Sequence, residues 1–218
     1  MKSTRSTSSG EIQISERTFP MQPFFSSDLI VKYLIILFVY AWGGLEIFQL
    51  IKQRKQHRSA SLASDRGSLI LLYVCITLGY TIAIPFSFSP YGRLTWGQPM
   101  WPILGAVLIV TGLWIRYSAM RTLAAYFTYA VEIQTQHRLV ETGLYRSIRH
   151  PGYLGQLLVF LGIGLALTNW ISLLGLLLPI GLAFGSRINV EEQALQQQFA
   201  GAYEAYRRRS WRLIPWLY

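Results

Sequence analysis

Apolar residues in this chain gather into long runs, and the polar residues collect in the gaps between them. The first run, 29–51, is long enough to cross a hydrocarbon core of about 30 Å as a helix. Lys32 lies near one end, where it can snorkel, and Glu46 lies deeper, where it must face protein or a cavity. A second run covers 68–86 and a third 100–115, the latter flanked by Trp96, Trp101 and Trp114 as interfacial anchors. After Arg116 the pattern turns amphipathic through Met120, Leu123, Ala124, Phe127 and Val131, which predicts that the helix continues along the interface. The run 153–186 carries no charge. As one helix it would be about 50 Å long, too long for one crossing, so it reads as two short spans joined at Thr168-Asn169-Trp170. Pro179 is expected to kink the second, and Gly181 with Gly185 to pack the hairpin. From Arg187 onward, Leu195, Phe199, Tyr203 and Tyr206 recur at helical spacing. They predict an amphipathic helix closed by Arg207-Arg208-Arg209, followed by Trp211, Trp216 and Tyr218 at the interface.

The pattern therefore predicts an all-α integral membrane fold of about five transmembrane helices, with a C-terminal helical hairpin and a cytoplasmic C-terminal amphipathic helix. It divides the chain into a flexible tail at 1–28, three spans at 29–116 and a chemistry-bearing region at 117–218. The tail is Ser/Thr-rich, has no apolar core after its basic residues and does not read as a secretory signal, though 19–25 could form a short interfacial piece. Composition agrees: 52% of residues are hydrophobic and 14% charged, against about 25% charged in soluble domains. A net charge of +10 on a soluble chain would suggest nucleic acid. Here the cations sit between apolar runs, where they set topology and meet anionic lipid, so no nucleic-acid partner is expected. Fifteen of the 20 Lys and Arg fall on one side: the 52–66 loop, the 116–149 region and 187–212. That side is assigned to the cytoplasm and Met1 to the outside, as an odd number of spans requires. The single cysteine, Cys75, excludes an internal disulfide.

The polar stretch 138–153, RLVETGLYRSIRHPGY, is costly beside a membrane unless it meets water or a polar ligand. Four features converge on the same face: His137, Tyr145, Arg149-His150-Pro151 with Tyr153, and Arg187 with Glu191. Proline at a helix start leaves no unsatisfied donor, and neighbouring N–H groups can hold an anion there. Arg187 and Glu191 are four apart and share one helix face. Together these groups offer cations for a carboxylate, and an anion for ribose hydroxyls or a cation. Each also has a plain reading. Arg149-His150-Pro151 alone is a helix start with a snorkelling arginine, and Arg187/Glu191 alone is a surface ion pair. Gly162-x-Gly164 has no strand before it and reads as helix packing. His57, His137 and His150 lack a metal-ligand spacing, so no metal is expected.

Taken together, His137-Arg-Leu-Val140, Gly143-x-Tyr145, Arg149-His150-Pro151-x-Tyr153-x-Gly155, a charge-free hairpin and Arg187-x-x-x-Glu191-Glu192 before the Phe199/Tyr203/Tyr206 helix resemble the isoprenylcysteine carboxyl methyltransferase family. That family belongs to a wider group of membrane methyltransferases that includes phospholipid methyltransferases. The resemblance covers about residues 119–215, with Phe127-Thr128 also fitting. It implies S-adenosylmethionine as cofactor, bound without a Rossmann fold. It also implies carboxyl O-methylation of a lipid-modified, prenylcysteine-like substrate at the cytoplasmic face. By the same resemblance the cofactor contacts are Glu132, His137, Arg138, Leu139, Val140, Tyr145, His150, Pro151, Gly152, Tyr153 and Glu191, with Arg187 handling the substrate and Arg187 and Glu191 carrying the catalysis. Glu132 stands where some members have Gln, and Arg138 and Gly152 fall at variable positions. The alternatives are phospholipid N-methylation, and a non-enzymatic membrane transporter or scaffold. An amine nucleophile would have to lose a proton, whereas a carboxylate is ready at neutral pH.

Overall fold

The computed structural model describes residues 67–97, 100–123 and 139–216, and residues 30, 32–34, 36–41, 43–45 and 48 of a first helix. Among these the chain is all-helical. The elements are α1 (Lys32–Leu45), α2 (Ser68–Phe88), α3 (Met100–Leu123), α4 (Pro151–Ala166) and α5 (Trp170–Arg209). Three of them, α2, α3 and α5, are long and apolar enough to cross a membrane, while α1 and α4 are shorter apolar helices. Large apolar side chains such as Ile70, Val74, Ile103, Val107, Val110, Leu178 and Leu182 point outward. That outside-apolar arrangement is stable in lipid and costly in water, which makes this an integral membrane protein.

Because lipid tails are as apolar as leucine, helices in a bilayer associate by close packing rather than by burial. The α3–α4 pair does so through glycine. A Cβ added at Gly105 would lie 2.5 Å from the Gly162 carbonyl oxygen, and one at Gly162 would lie 2.5 Å from that of Gly105. Seven residues along each helix, Gly112 and Gly155 repeat the contact, with a Cβ on Gly155 reaching 2.6 Å from the Gly112 oxygen. Gly162 thus packs helices, as its setting in the sequence suggests, and Gly164 lies against Leu173 in the α4–α5 hairpin. Gly181 and Gly185 do not pack the hairpin: a Cβ on either would meet nothing within 4 Å. The core that results gathers Val159, Phe160 and Ile163 of α4, Leu176, Ile180 and Phe184 of α5, and Ala83 of α2.

The hairpin turns at Leu167-Thr168-Asn169, and Asn169 is its pin. Its side chain is 1% exposed and uses every hydrogen-bonding position it has. The oxygen caps α5 by accepting from Ile171 and Ser172 N–H at 2.9 and 3.0 Å. The amide nitrogen donates to the Phe86 and Tyr91 carbonyls at 2.8 and 2.7 Å, which ties the end of α2 to the start of α5. The same α2 terminus takes Lys32: instead of snorkelling, its ammonium is buried, donates to the Ser87 carbonyl and stands 5.4 Å from the centre of the Phe88 ring. An anchored carbonyl end gives a buried lysine the partner that it would otherwise seek at the interface.

α5 runs 40 residues, so the last apolar segment and the polar segment from Arg187 form one continuous element. Its backbone leaves helical angles at Ala200 (φ 37°, ψ −111°) and not at Pro179. Beyond the break, Tyr203 and Tyr206 are buried. α3 likewise extends past Arg116 to Leu123, as the amphipathic pattern after Arg116 suggests.

Candidate active site

The start of α4 builds one wall. His150 is the N-cap residue and Pro151 occupies the first turn, where a missing N–H costs nothing. Tyr153 and Leu154 N–H donate to the His150 carbonyl at 3.2 and 3.1 Å. The preceding strand-like segment is stitched to the chain end. Arg149 N–H donates to the Trp211 carbonyl (2.8 Å), His150 N–H to that of Arg212 (3.2 Å), and Trp211 N–H to that of Ser147 (2.8 Å). Earlier still, Gly143 at φ 59° opens a 3-10 turn through Arg146, a conformation that glycine adopts without strain. That turn buries Tyr145, whose carbonyl accepts the Tyr206 hydroxyl at 2.5 Å.

α5 supplies the opposite wall, with two adjacent carboxylates just past its apolar stretch. Glu192 is held by Arg149 Nε and Arg212 Nε, both at 3.0 Å, and by His150 Nε2 at 3.4 Å. Glu191 faces His150 Nδ1 at 3.5 Å and Arg187 Nε at 3.6 Å, and accepts from the Tyr153 hydroxyl. The Tyr153 oxygen in turn accepts from Arg187 Nε at 2.7 Å, so one phenol links the arginine to the carboxylate. The Arg187 side chain is 3% exposed and that of Glu191 24%, which leaves Glu191 the more exposed side chain of the pair.

Both ring nitrogens of His150 meet carboxylates, the geometry of a doubly protonated imidazolium. Burial works against that charge, but Glu191 and Glu192 outweigh it and hold the histidine above its ordinary value of 6.5. Burial also opposes charge on Glu192. His150, Arg149 and Arg212 prevail and bring it down from 4.5 to about 2. Glu191 is likewise kept below the usual carboxylate range, against burial, by His150 and Arg187. The sign for stability follows from linkage. The raised histidine contributes fully below about pH 6.5, and its contribution is lost as pH climbs through the raised value. The depressed Glu192 contributes above about pH 4.5, and its contribution is lost on acidification toward pH 2. The melting temperature of detergent-purified protein should therefore fall as pH rises from 6.5 through the raised histidine value, and His150→Gln should flatten that alkaline slope. An unchanged slope in the variant would remove His150 as its source.

Of the residues expected at the site, His150, Tyr153, Arg187 and Glu191 form one contiguous network. Pro151 and Gly152 begin the adjoining helix, and a Cβ on Gly152 would meet only Ala119, at 3.9 Å. Leu139 and Val140 are half-buried ahead of the Tyr145 turn. Glu132, His137 and Arg138 lie outside the described residues, as do Glu46, Phe127 and Thr128. Sequence reasoning left Glu192 and Arg212 without a role. Arg149 and Glu192 are 43 positions apart, a separation with no periodic signature.

Residues 100–202 match the family described as phospholipid methyltransferase. A probable protein-S-isoprenylcysteine O-methyltransferase of Oryza sativa subsp. indica is 34% identical over 116 residues, covering 52% of this chain and 61% of that one. Protein-S-isoprenylcysteine O-methyltransferases of Saccharomyces cerevisiae and Dictyostelium discoideum are 34% and 35% identical, over 53% and 51% of this chain and 49% and 48% of their own. The match thus spans about half to three-fifths of those relatives. The solved structure of the eukaryotic intramembrane Ras methyltransferase, an isoprenylcysteine carboxyl methyltransferase, aligns with a TM-score of 0.53 and 22% identity, over 69% of this chain and 51% of that one. The resemblance first drawn from the motifs is thereby borne out, and the likeness of fold extends beyond the matched half.

Proposed function

We propose that this chain is an S-adenosylmethionine-dependent carboxyl methyltransferase acting on a prenylcysteine-like lipidic substrate. It would cross the membrane about five times, with the 138–153 stretch and the chain end cytoplasmic. The observation that carries this reading is a buried arginine, Arg187, fixed by Tyr153 beside the carboxylate of Glu191. A guanidinium held in place can receive a carboxylate through two parallel N–H donors. The shifts point the same way: Glu191 and Glu192 are held below the usual carboxylate range, which makes them weak bases, and His150 is pushed toward its charged form, which disfavours it as a base for deprotonating an amine. A carboxylate nucleophile needs none.

The described residues fit the cofactor on two counts. Glu191 offers an anion, on a partly exposed side chain, for hydroxyl or ammonium groups. Among the described residues the buried Gln196 side-chain oxygen has no hydrogen-bond donor, which leaves it an acceptor for a ligand N–H or O–H. When bound, a sulfonium supplies an already activated methyl group. The chain's part is then alignment: Arg187 orients the attacking carboxylate, Glu191 and Gln196 hold the donor, and the 147–150 and 211–212 segments close the polar end.

The test is transfer of labelled methyl from S-adenosylmethionine to a farnesylcysteine analogue or to phosphatidylethanolamine, in sealed vesicles of both orientations. Labelling of the farnesylcysteine analogue in inside-out vesicles alone is the expected result. Labelling of phosphatidylethanolamine instead would establish the N-methylation reading that the matched family's description favours. Labelling of neither by folded protein would return the chain to a transporter or scaffold.

A further inference from the structure

α2 and α5 run antiparallel in one register. At one end Asn169 meets Phe86. The Ser172 hydroxyl then donates to the Ala83 carbonyl at 2.7 Å, Gly79 lies against the Leu176 backbone, and Gly175 against Ile82. Continued to the far end, this register brings Ser68, the first residue of α2, to Arg187. Both are buried, Ser68 at 2% and Arg187 at 3% exposure. Arg187 Nη1 donates to the Ser68 hydroxyl at 3.3 Å while Nε donates to the Tyr153 hydroxyl at 2.7 Å. Acceptors on two different nitrogens constrain the plane of a guanidinium more tightly than one does.

We propose that Ser68 is a positioning residue for Arg187, setting the guanidinium plane in which the substrate carboxylate is received. Ser68 lies outside residues 100–202, the stretch that matches the phospholipid methyltransferase family, so the first half of the chain contributes to the reacting geometry. The inference rests on the reading of Arg187 given above. A planar pair between guanidinium and carboxylate tolerates little tilt, so losing one acceptor degrades the substrate side and leaves the cofactor side, held through Glu191, as it was.

The experiment measures methyl transfer to the farnesylcysteine analogue alongside the thermal shift given by S-adenosylhomocysteine. Ser68→Ala should lower kcat/KM about tenfold with the thermal shift unchanged, and Ser68→Thr, which keeps the hydroxyl, should recover most of the loss. In the Arg187→Lys background, Ser68→Ala should cost nothing further, because contacting residues that act as a unit are non-additive. A purely structural serine would cost the same in both backgrounds, and that result overturns the proposal. So does an Ala variant equal to wild type. Should Ser68→Ala fail to fold, Ser68→Cys, of similar size and a poor acceptor, carries the same expectations. Wild-type protein that methylates neither substrate overturns the assignment of Arg187 itself, a failure distinct from the others.

Discussion

Arg187→Ala should lower kcat/KM for the farnesylcysteine analogue by about 10²–10³-fold, the usual loss when a preorganised donor at a reacting oxygen is removed. Cofactor binding should persist, because Glu191 keeps His150 and the Tyr153 hydroxyl as partners. The sharper variant is Arg187→Lys. It keeps the charge beside Glu191, which guards against the cost of an uncompensated buried carboxylate. It loses the planar, two-point grip and the separate nitrogens that reach Tyr153 and Ser68. Lysine should therefore recover less than about tenfold of the loss. Full rescue by lysine would mean that the site asks only for positive charge, and the case for a carboxylate nucleophile would lose its main support. Wild-type turnover in the alanine variant would make the pair an ordinary structural contact.

The second large effect is on the fold. Gly155→Leu should lower the melting temperature in detergent sharply. At this position a Cβ would meet the Arg116 backbone nitrogen and the Gly112 carbonyl oxygen, both at 2.6 Å, and backbone cannot rotate away as a side chain can. Overpacking typically costs about 1–3 kcal/mol where neighbours can adjust, against a total stability of about 5–15 kcal/mol. Here the helices themselves must separate, and the upper end or beyond is expected. Gly181→Leu is the internal control, because a Cβ there meets nothing within 4 Å. Monodispersity on size exclusion and the melting temperature read both. Equal tolerance of the two substitutions would show that the α3–α4 contact does not hold the bundle.

What could be read from the sequence, and what could not, divides along physical lines. The helices α2, α3 and the turn at Asn169 follow from runs of apolar residues long enough to span, interrupted by Pro, Gly and polar residues. Those are local signals. His150-Pro151 as a helix start and Arg187/Glu191 as one face are also local, set by cap chemistry and by a four-residue spacing. The glycine pairs were harder to see. In a helix apolar on all sides, periodicity cannot tell the packed face from the lipid face, so Gly181 and Gly185 attracted notice while Gly105, Gly112 and Gly155 did the packing. The matched seven-residue spacings of 105/112 and 155/162 were the available clue. Lys32 on Ser87 and Ser68 on Arg187 depend on register between distant helices, and Arg212 on Glu192 on the chain folding back after α5, neither of which a window of sequence contains.

The α2–α5 register also fixes a length. Eighteen residues of one helix separate the Asn169 pin from Arg187, about 27 Å of rise. Polar groups at both marks are satisfied by protein, and what lies between them is apolar, so this distance acts as a built-in gauge of hydrophobic thickness. It is close to that of a thin bilayer and a few ångströms under that of a sterol-rich one. In the thicker membrane the lipid must compress around the pair, or acyl chains must reach past the level of Arg187 at a modest cost for each ångström of mismatch. Tilting would only shorten the span further. The contacts that orient the guanidinium therefore also bias the protein toward membranes of matching depth.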